Sequence, residues 1–147
     1  KLLNQAVEEL NAGKSAAART TLKRINLQRA SPYEVSRIEQ LFAAIEQGEE
    51  KYGAAREHLE KALASGGLKD KELSATRFQI AALFLAEERW ADAVRALEAW
   101  FASEPKPNSV GYYSLAVAHY QLGNYAAAAG PAQKAVGLAG DDPQESW

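Results

Sequence analysis

The sequence predicts an all-α protein built from antiparallel pairs of helices, and three observations lead to this prediction. Alanine, the strongest helix former, occupies 30 of the 147 positions, whereas glycine and proline together occupy only 15. Hydrophobic residues make up 47% of the chain, which is ample for a packed core. Alanines also recur at regular intervals, which indicates a repeated structural unit.

Two columns of alanine share one spacing along the chain, with intervals of 37, 38 and 35 residues. Two independent sets of four alanines that show the same three intervals are hard to produce by chance. The sequence therefore predicts four helix pairs. In three of the units an aromatic residue stands three positions before the second column, where a ring can pack between the paired helices. The first column is Ala6, Ala43, Ala81 and Ala116, the second is Ala18, Ala55, Ala93 and Ala128, and the aromatic residues are Tyr52, Trp90 and Tyr125.

The starts and stops of the helices support four units. The stretch Ser31–Glu34 has the composition of a capping box with proline at the first helical position. The Gly66–Gly67 pair predicts a helix stop, after which Asp70 would cap the next helix. Asn108 or Ser109 would cap the first helix of the fourth unit.

The predicted organisation is a single array over residues 1–147. Asp142 and Pro143 predict the start of a further helix at 142–147. Together with the absence of methionine, this start predicts that the chain is a piece of a longer protein. The units are 1–30, which is degenerate or a cap, then 31–68, 69–106 and 107–141.

This pattern resembles the tetratricopeptide repeat, a helix–turn–helix of roughly 34 residues. The first unit departs from the family pattern, with Gln5 in place of a large apolar residue and Ser15 in place of the aromatic. The resemblance covers nearly the whole chain and implies an α–α superhelix, a solenoid whose first helices line a concave groove. The residues that carry it are Tyr112, Leu115, Ala116, Gly123, Tyr125, Ala128 and Ala135 in the fourth unit, Ile80, Ala81, Trp90, Ala93, Leu97 and Pro105 in the third, and Phe42, Ala43, Tyr52, Ala55, Leu59 and Ala62 in the second.

On such a superhelix, one side of each first helix would face the groove and bind a partner. The predicted stripe is apolar and aromatic with amides at its edge, so it suits a protein or peptide segment that presents apolar side chains. The alternative is that some of these rings contact the neighbouring unit, because adjacent repeats share this face. The predicted groove residues are Arg37, Gln40, Leu41, Ala44 and Gln47 in the second unit, Phe78, Gln79, Ala82 and Leu85 in the third, and Tyr113, Ser114, Val117, Tyr120 and Gln121 in the fourth.

Several functional classes are disfavoured by composition. A net charge of −2 gives no basic footprint for nucleic acid, and the longest apolar run is too short to span a membrane. Without cysteine there is no thiol nucleophile. We interpret His58 and His119 as packing rings, because neither has another histidine or a cysteine nearby in the sequence. The sequence therefore predicts a protein that is not an enzyme and has no cofactor or metal. A carboxylate clamp, as in chaperone-binding relatives, is also excluded, since only Arg37 has the required charge.

A narrower resemblance rests on Trp100, which stands where the tetratricopeptide repeat ordinarily has alanine, on Pro131 inside a predicted helix, and on the final tryptophan. The runs LFLAEERWADAVRALEAWF and YYSLAVAHYQLGNYAAAAGPAQKAV, followed by PQESW, are similar to periplasmic tetratricopeptide proteins encoded beside TonB–ExbB–ExbD systems. This similarity implies an accessory protein of the bacterial envelope. The sequence also predicts a helix from near Tyr125 to about Ala139. Because Pro131 lacks an N–H, we expect a bend or a widened turn around residues 127–131 of this helix.

Three functions fit these observations. The leading hypothesis is an adaptor that holds a partner segment in its groove. The second is a scaffold that associates with itself through the same exposed stripe or through its last unit, which has no following unit to pack on. The third is a recruiting arm of a larger protein whose catalytic part lies outside these residues.

Overall fold

The computed structural model describes residues 1–139, and the regular structure in that range is entirely α-helical. The predicted all-α class is therefore confirmed, while the helix start predicted at 142–147 lies outside the described residues. The helices are α1 (Leu2–Asn11), α2 (Ser15–Lys23), α3 (Pro32–Gly48), α4 (Tyr52–Ala64), α5 (Asp70–Ala86), α6 (Trp90–Ser103), α7 (Ser109–Gln121) and α8 (Tyr125–Ala139).

The two sets of buried alanines explain why each first helix packs closely against the second helix that follows it. All eight alanines are 8% exposed or less, so each lets a partner helix approach closely. The residue three positions earlier begins the second helix of each pair, at Ser15, Tyr52, Trp90 and Tyr125. Tyr125 departs from the expected packing between helices, because its side chain is 63% exposed and its ring lies against Tyr120 at the surface.

Short turns of the same geometry join the helices within a pair. Each turn contains one residue in the left-handed region, and these residues follow the spacing of the alanine columns. Gly13 and Gly123 have φ angles of 77° and 80°, as expected for a residue without Cβ. Glu50 and Glu88 adopt the same conformation at 60° and 57°, where a side chain is disfavoured.

The predicted caps are confirmed at two helices and wrong at a third. Ser31 accepts a hydrogen bond from the Glu34 backbone N–H at 3.1 Å, and the Glu34 carboxylate accepts one from the Ser31 N–H at 2.9 Å. Asn108 caps α7 by accepting from the Gly111 N–H at 2.9 Å. Asp70 does not cap α5 but is its first helical residue. Here the side chain of Glu72 accepts from the Lys69 N–H at 3.1 Å, so the cap lies one residue earlier.

The chain divides into two compact units, Lys1–Leu73 and Ser74–Trp147. The core of unit 1 contains Ala6, Ala18, Leu22, Ile38 and Ile45. Arg19 also ties α2 to α3 there, with its guanidinium 3.3 Å from the Glu46 carboxylate and 2.9 Å from that of Glu49. The single array predicted for residues 1–147 stays a prediction.

Candidate binding site

A ladder of aromatic rings sets the position of α7 in unit 2. Trp100 of α6 is only 4% exposed, and its ring lies 4.9 Å from those of Phe78 and Phe101. Phe101 in turn lies 4.8 Å from Tyr112 on α7. The large ring of Trp100 lies against α7, so α7 must make room for it. It does so at Gly111, where an added Cβ would lie 2.3 Å from the Trp100 ring.

Polar contacts hold the edge of this ladder. The Trp100 indole N–H donates to the Ser74 hydroxyl at 3.0 Å, and that hydroxyl donates to the Glu104 carboxylate. The Ser74 hydroxyl, assisted by the Lys106 backbone N–H, holds the pKa of the Glu104 carboxyl below its usual range. The indole is therefore fixed in one orientation, and the helix that packs on it is positioned with it.

With α7 so positioned, an apolar pocket of about 400 Å³ lies along α7 and α8, and we call it the α7–α8 pocket. Four of its residues were predicted from the sequence, and they recur on α7 at helical intervals. The floor contains the small buried side chains of Ala128 and Ala135 on α8, whereas Ala132 and Val136 of the same helix are exposed. Among the described residues no charged side chain lines the pocket. The lining is Tyr113, Ala116, Val117, Tyr120, Gln121, Ala128, Ala132, Ala135 and Val136.

Two of the residues that line the pocket expose apolar groups. Tyr120 is 61% exposed and Val136 is 50% exposed, although both side chains are largely apolar. The Tyr120 ring leans on Tyr125, with 5.1 Å between ring centroids. Exposed apolar groups around an alanine floor are typical of a surface that accepts an apolar segment.

The other predicted groove residues of unit 2 do not line this pocket. Phe78 is half-buried, and its ring packs on Trp100. Leu85 is half-buried, whereas Gln79 and Ala82 are exposed. Ser114 is buried at 9% exposure, so it faces the interior and not a groove.

In unit 1 the predicted groove residues on α3 have mixed environments. Leu41 is partly buried and packs against the core of the unit. Arg37 donates to the Gln40 side chain at 3.4 Å, and both side chains are half-buried. Ala44 and Gln47 are exposed.

The two histidines occupy packed positions. His58 stacks on Phe42 with ring centroids 4.9 Å apart, and its Nδ1 lies 2.8 Å from the carboxylate of the buried Glu39. The packing interpretation of His58 is thus confirmed, but the sequence did not reveal its carboxylate partner. Nδ1 of His119 is buried without a hydrogen-bond partner in the described part of the chain.

Within residues 1–139, no three histidine, aspartate or glutamate side chains come together as a group that could hold a metal ion. Nor does any helix described there have the length and apolar character needed to cross a membrane.

Comparisons with known proteins identify the fold. No protein-family model and no curated protein matches the chain. A crystal structure of MamA superposes with a TM-score of 0.73 at 16% identity, covering 94% of this chain and 71% of that one. The MamA RS-1 ArsTM double mutant superposes with a TM-score of 0.74 at 21% identity, covering 97% and 74%. YrrB, a TPR protein with an unusual peptide-binding site, reaches a TM-score of only 0.46 at 16% identity, covering 99% and 88%.

The two superpositions on MamA cover nearly the whole chain and support its fold. The chain is an all-α helical-repeat protein built from four helix pairs in the described residues. At such low identities the likeness extends to the fold and to no activity or ligand.

Proposed function

We propose that this chain is a non-enzymatic interaction scaffold that binds an apolar segment of a partner protein in the α7–α8 pocket. The observation that carries the proposal is the pocket itself, in which Tyr113, Val117, Tyr120 and Gln121 meet the alanine floor of α8. A lining without charge favours an apolar occupant, because a buried charge would find no counter-charge there.

The shape of the pocket favours an amphipathic helix or an extended segment with one or two large side chains. Small floor residues let a partner backbone come close, and the rings of Tyr113 and Tyr120 supply contact area at low entropic cost. The amide of Gln121 gives one polar contact at the edge.

The first prediction tests this site by cross-linking. A photoreactive phenylalanine analogue placed at Tyr120 should cross-link a partner segment rich in apolar residues, identified by mass spectrometry. The same analogue at Tyr33 is the matched control, because Tyr33 is also a tyrosine and is 55% exposed on α3.

The identified segment then allows a quantitative measurement. In fluorescence anisotropy, Tyr120→Ala should weaken binding about tenfold, which corresponds to the loss of one aromatic anchor. Tyr33→Ala should leave the affinity unchanged, and helical circular dichroism should be the same for both variants. Equal loss for both variants, or none for Tyr120→Ala, would refute the site.

Self-association is the second candidate, since the same exposed apolar groups could meet in a second copy. Cross-links from position 120 that map back to this chain would support it. Sedimentation velocity over a wide concentration range gives the independent measurement, and a strictly monomeric chain would exclude it.

An accessory role beside a TonB–ExbB–ExbD system, in the periplasm, is proposed from the sequence runs that contain Trp100 and Pro131 and from nothing else. Fractionation of the source cells tests it directly. Recovery of the full-length protein with periplasmic markers supports the proposal, and recovery with cytoplasmic markers contradicts it.

A further inference from the structure

Unit 1 has an uneven distribution of charge that the net charge of the chain conceals. Residues 10–33 contain five basic residues and no acidic residue, although acidic residues are the more numerous in the whole chain. This stretch includes α2 and the connection to α3. Two of its cations, Arg24 and Arg29, line one pocket at the edge of unit 1.

This pocket, which we call the basic pocket, has a volume of about 240 Å³ and an apolar floor. Leu2 and Leu3 of α1, Ile25 after α2, and Ile38 of α3 form that floor. Ile38 is 1% exposed, and Leu3 and Ile25 pack against the same core cluster. The floor is therefore continuous with the core, although Ile25 lies in the connection between α2 and α3.

The cations in the lining of the basic pocket outnumber its carboxylates three to one. Neither Arg24 nor Arg29 makes an ion pair or a side-chain hydrogen bond within residues 1–139, whereas Arg19 pairs with two carboxylates. The one carboxylate in the lining, Glu34, already accepts the Ser31 N–H at 2.9 Å in the capping box of α3. Lys1 adds a further cation to the lining. The pocket thus combines a positive rim with an apolar floor.

We infer that the basic pocket binds a segment of a partner protein that presents a large apolar side chain with carboxylates on both sides of it. The apolar side chain would enter between Leu3, Ile25 and Ile38. The flanking carboxylates would pair with Arg24 and Arg29, whose guanidinium groups bind carboxylates in a fork geometry. A pocket smaller than the roughly 300 Å³ typical of small-molecule sites suits one such side chain.

Two other anionic partners fit the lining less well. Nucleic acid would stack its bases on aromatic rings, but among the described residues that line the pocket none is aromatic. A membrane surface would need several apolar side chains that protrude beside the cations. Leu27 is 43% exposed there, but the apolar residues that line the pocket, Leu3, Ile25 and Ile38, are half-buried or buried. A carboxylate-bearing peptide matches both the concave floor and the rim.

The inference is independent of the proposed function, because the basic pocket lies in unit 1 and the α7–α8 pocket in unit 2. Either can fail while the other stands.

The experiment uses the full chain and three labelled hexapeptides in fluorescence anisotropy. In the first peptide, a leucine and a phenylalanine are flanked on each side by two glutamates. The second has serines in place of the two apolar residues, and the third has lysines in place of the glutamates. We expect saturable binding of the first peptide alone, and binding that weakens as ionic strength rises.

Charge reversal then locates the site. Arg24→Glu with Arg29→Glu should weaken binding of the first peptide at least about tenfold, because two attractive contacts become repulsive. Lys61→Glu with Lys71→Glu is the matched control, since it makes the same change in net charge at exposed positions outside the pocket. Arg29→Gln, a milder variant that keeps the chain near its natural charge, should weaken binding by an intermediate factor.

Each alternative has its own outcome. Equal binding of the serine peptide would show attraction by charge without use of the floor, and would overturn the inference. Stronger binding of phosphatidylserine vesicles or of a DNA oligonucleotide, lost in Arg24→Glu with Arg29→Glu, would assign the pocket to a membrane or to nucleic acid instead. Equal loss in the Lys61 and Lys71 control would also overturn it.

Discussion

At the scale of single residues, Gly111 decides whether α7 can pack on Trp100. An alanine Cβ there would lie 2.3 Å from the buried indole ring, which is held by Ser74 and Phe78 and cannot move aside. We predict that Gly111→Ala lowers the free energy of unfolding. The steric clash costs about 1–3 kcal/mol. The higher helix propensity of alanine offsets up to about 1 kcal/mol of that cost. Urea denaturation followed by circular dichroism measures the difference.

The control for this substitution is Gly137→Ala in α8, where nothing lies within 4 Å of an added Cβ. Because no clash opposes it there, the higher helix propensity of alanine should raise the free energy of unfolding. In a Trp100→Leu background, the cost of Gly111→Ala should shrink, because the smaller side chain vacates the contested space. A full cost in both backgrounds would mean that the indole ring is not the cause.

The left-handed turn residues give a second prediction at this scale. Glu88 has a φ of 57°, a conformation that costs a residue with a Cβ about 1 kcal/mol or more relative to glycine. We predict that Glu88→Gly raises the free energy of unfolding by about 0.5–1 kcal/mol, and that Glu50→Gly acts in the same direction. Gly123→Glu is the reverse change at the equivalent turn and should lower stability, although an added Cβ meets nothing within 4 Å there. If Glu88→Gly proved neutral, the backbone conformation would not be strained.

The sequence predicted some of these residue-level features of the fold and missed others. The alanine columns were predictable because close helix crossing requires a small residue at a fixed interval. The exception at Trp100 was visible, but its solution at Gly111 was not, since a glycine in the first turn of a helix has several explanations. Glu50 and Glu88 stand at the same spacing as Gly13 and Gly123 and adopt the same left-handed conformation. The sequence did not reveal this, because glutamate is not a residue that predicts a positive φ.

At the scale of elements, α8 tests how a helix tolerates an internal proline. It runs without interruption from Tyr125 to Ala139, as predicted, although Pro131 cannot donate to the Ala127 carbonyl. The bend expected around residues 127–131 stays a prediction. We expect Pro131→Ala to raise the melting temperature, because it restores a hydrogen bond and removes a clash worth up to about 3 kcal/mol in an isolated helix. An unchanged melting temperature in calorimetry would show that the surrounding packing already compensates.

The candidate site was predictable to the extent that it lies on one element. Tyr113, Val117, Tyr120 and Gln121 were predicted together because their intervals place them on one face of α7. The contribution of α8 was missed, since small side chains such as Ala132 give no signal for binding. Phe78 was assigned to the same groove, but its contact with Trp100 depends on how α5 meets α6, and one helical period cannot reveal that.

At the scale of the whole molecule, three carboxyl groups make stability depend on pH. Their pKa values lie below the ordinary value of about 4.5. The Ser31 backbone N–H lowers the pKa of Glu34, the Lys51 ammonium and the Arg19 guanidinium lower that of Glu49, and the Ser74 hydroxyl lowers that of Glu104. Glu34 and Glu49 belong to unit 1 and Glu104 to unit 2, so both units are affected.

The sign of the effect follows from proton binding. As the pH falls below about 4.5, the unfolded chain takes up protons at these carboxyls before the folded chain does, so the free energy of unfolding decreases. The contribution is complete above that pH and disappears as the pH falls through the lowered pKa values. We therefore predict that denaturation by urea needs less denaturant at pH 3 than at pH 7. Part of this loss should come from Glu49, whose carboxylate lies 3.0 Å from the Lys51 ammonium and 2.9 Å from Arg19.

Glu49→Gln isolates that part, because a neutral amide keeps the shape of the side chain but cannot take up the proton. The variant should be less stable than the natural chain at pH 7 and should show a smaller difference between pH 7 and pH 3. Glu60→Gln is the matched control, since Glu60 is exposed on α4 and makes no ion pair among residues 1–139. It should leave the difference between the two pH values as it is in the natural chain. If Glu49→Gln and Glu60→Gln gave the same pH dependence, the contacts of Glu49 with Lys51 and Arg19 would contribute nothing to stability in solution, as is found for many exposed ion pairs.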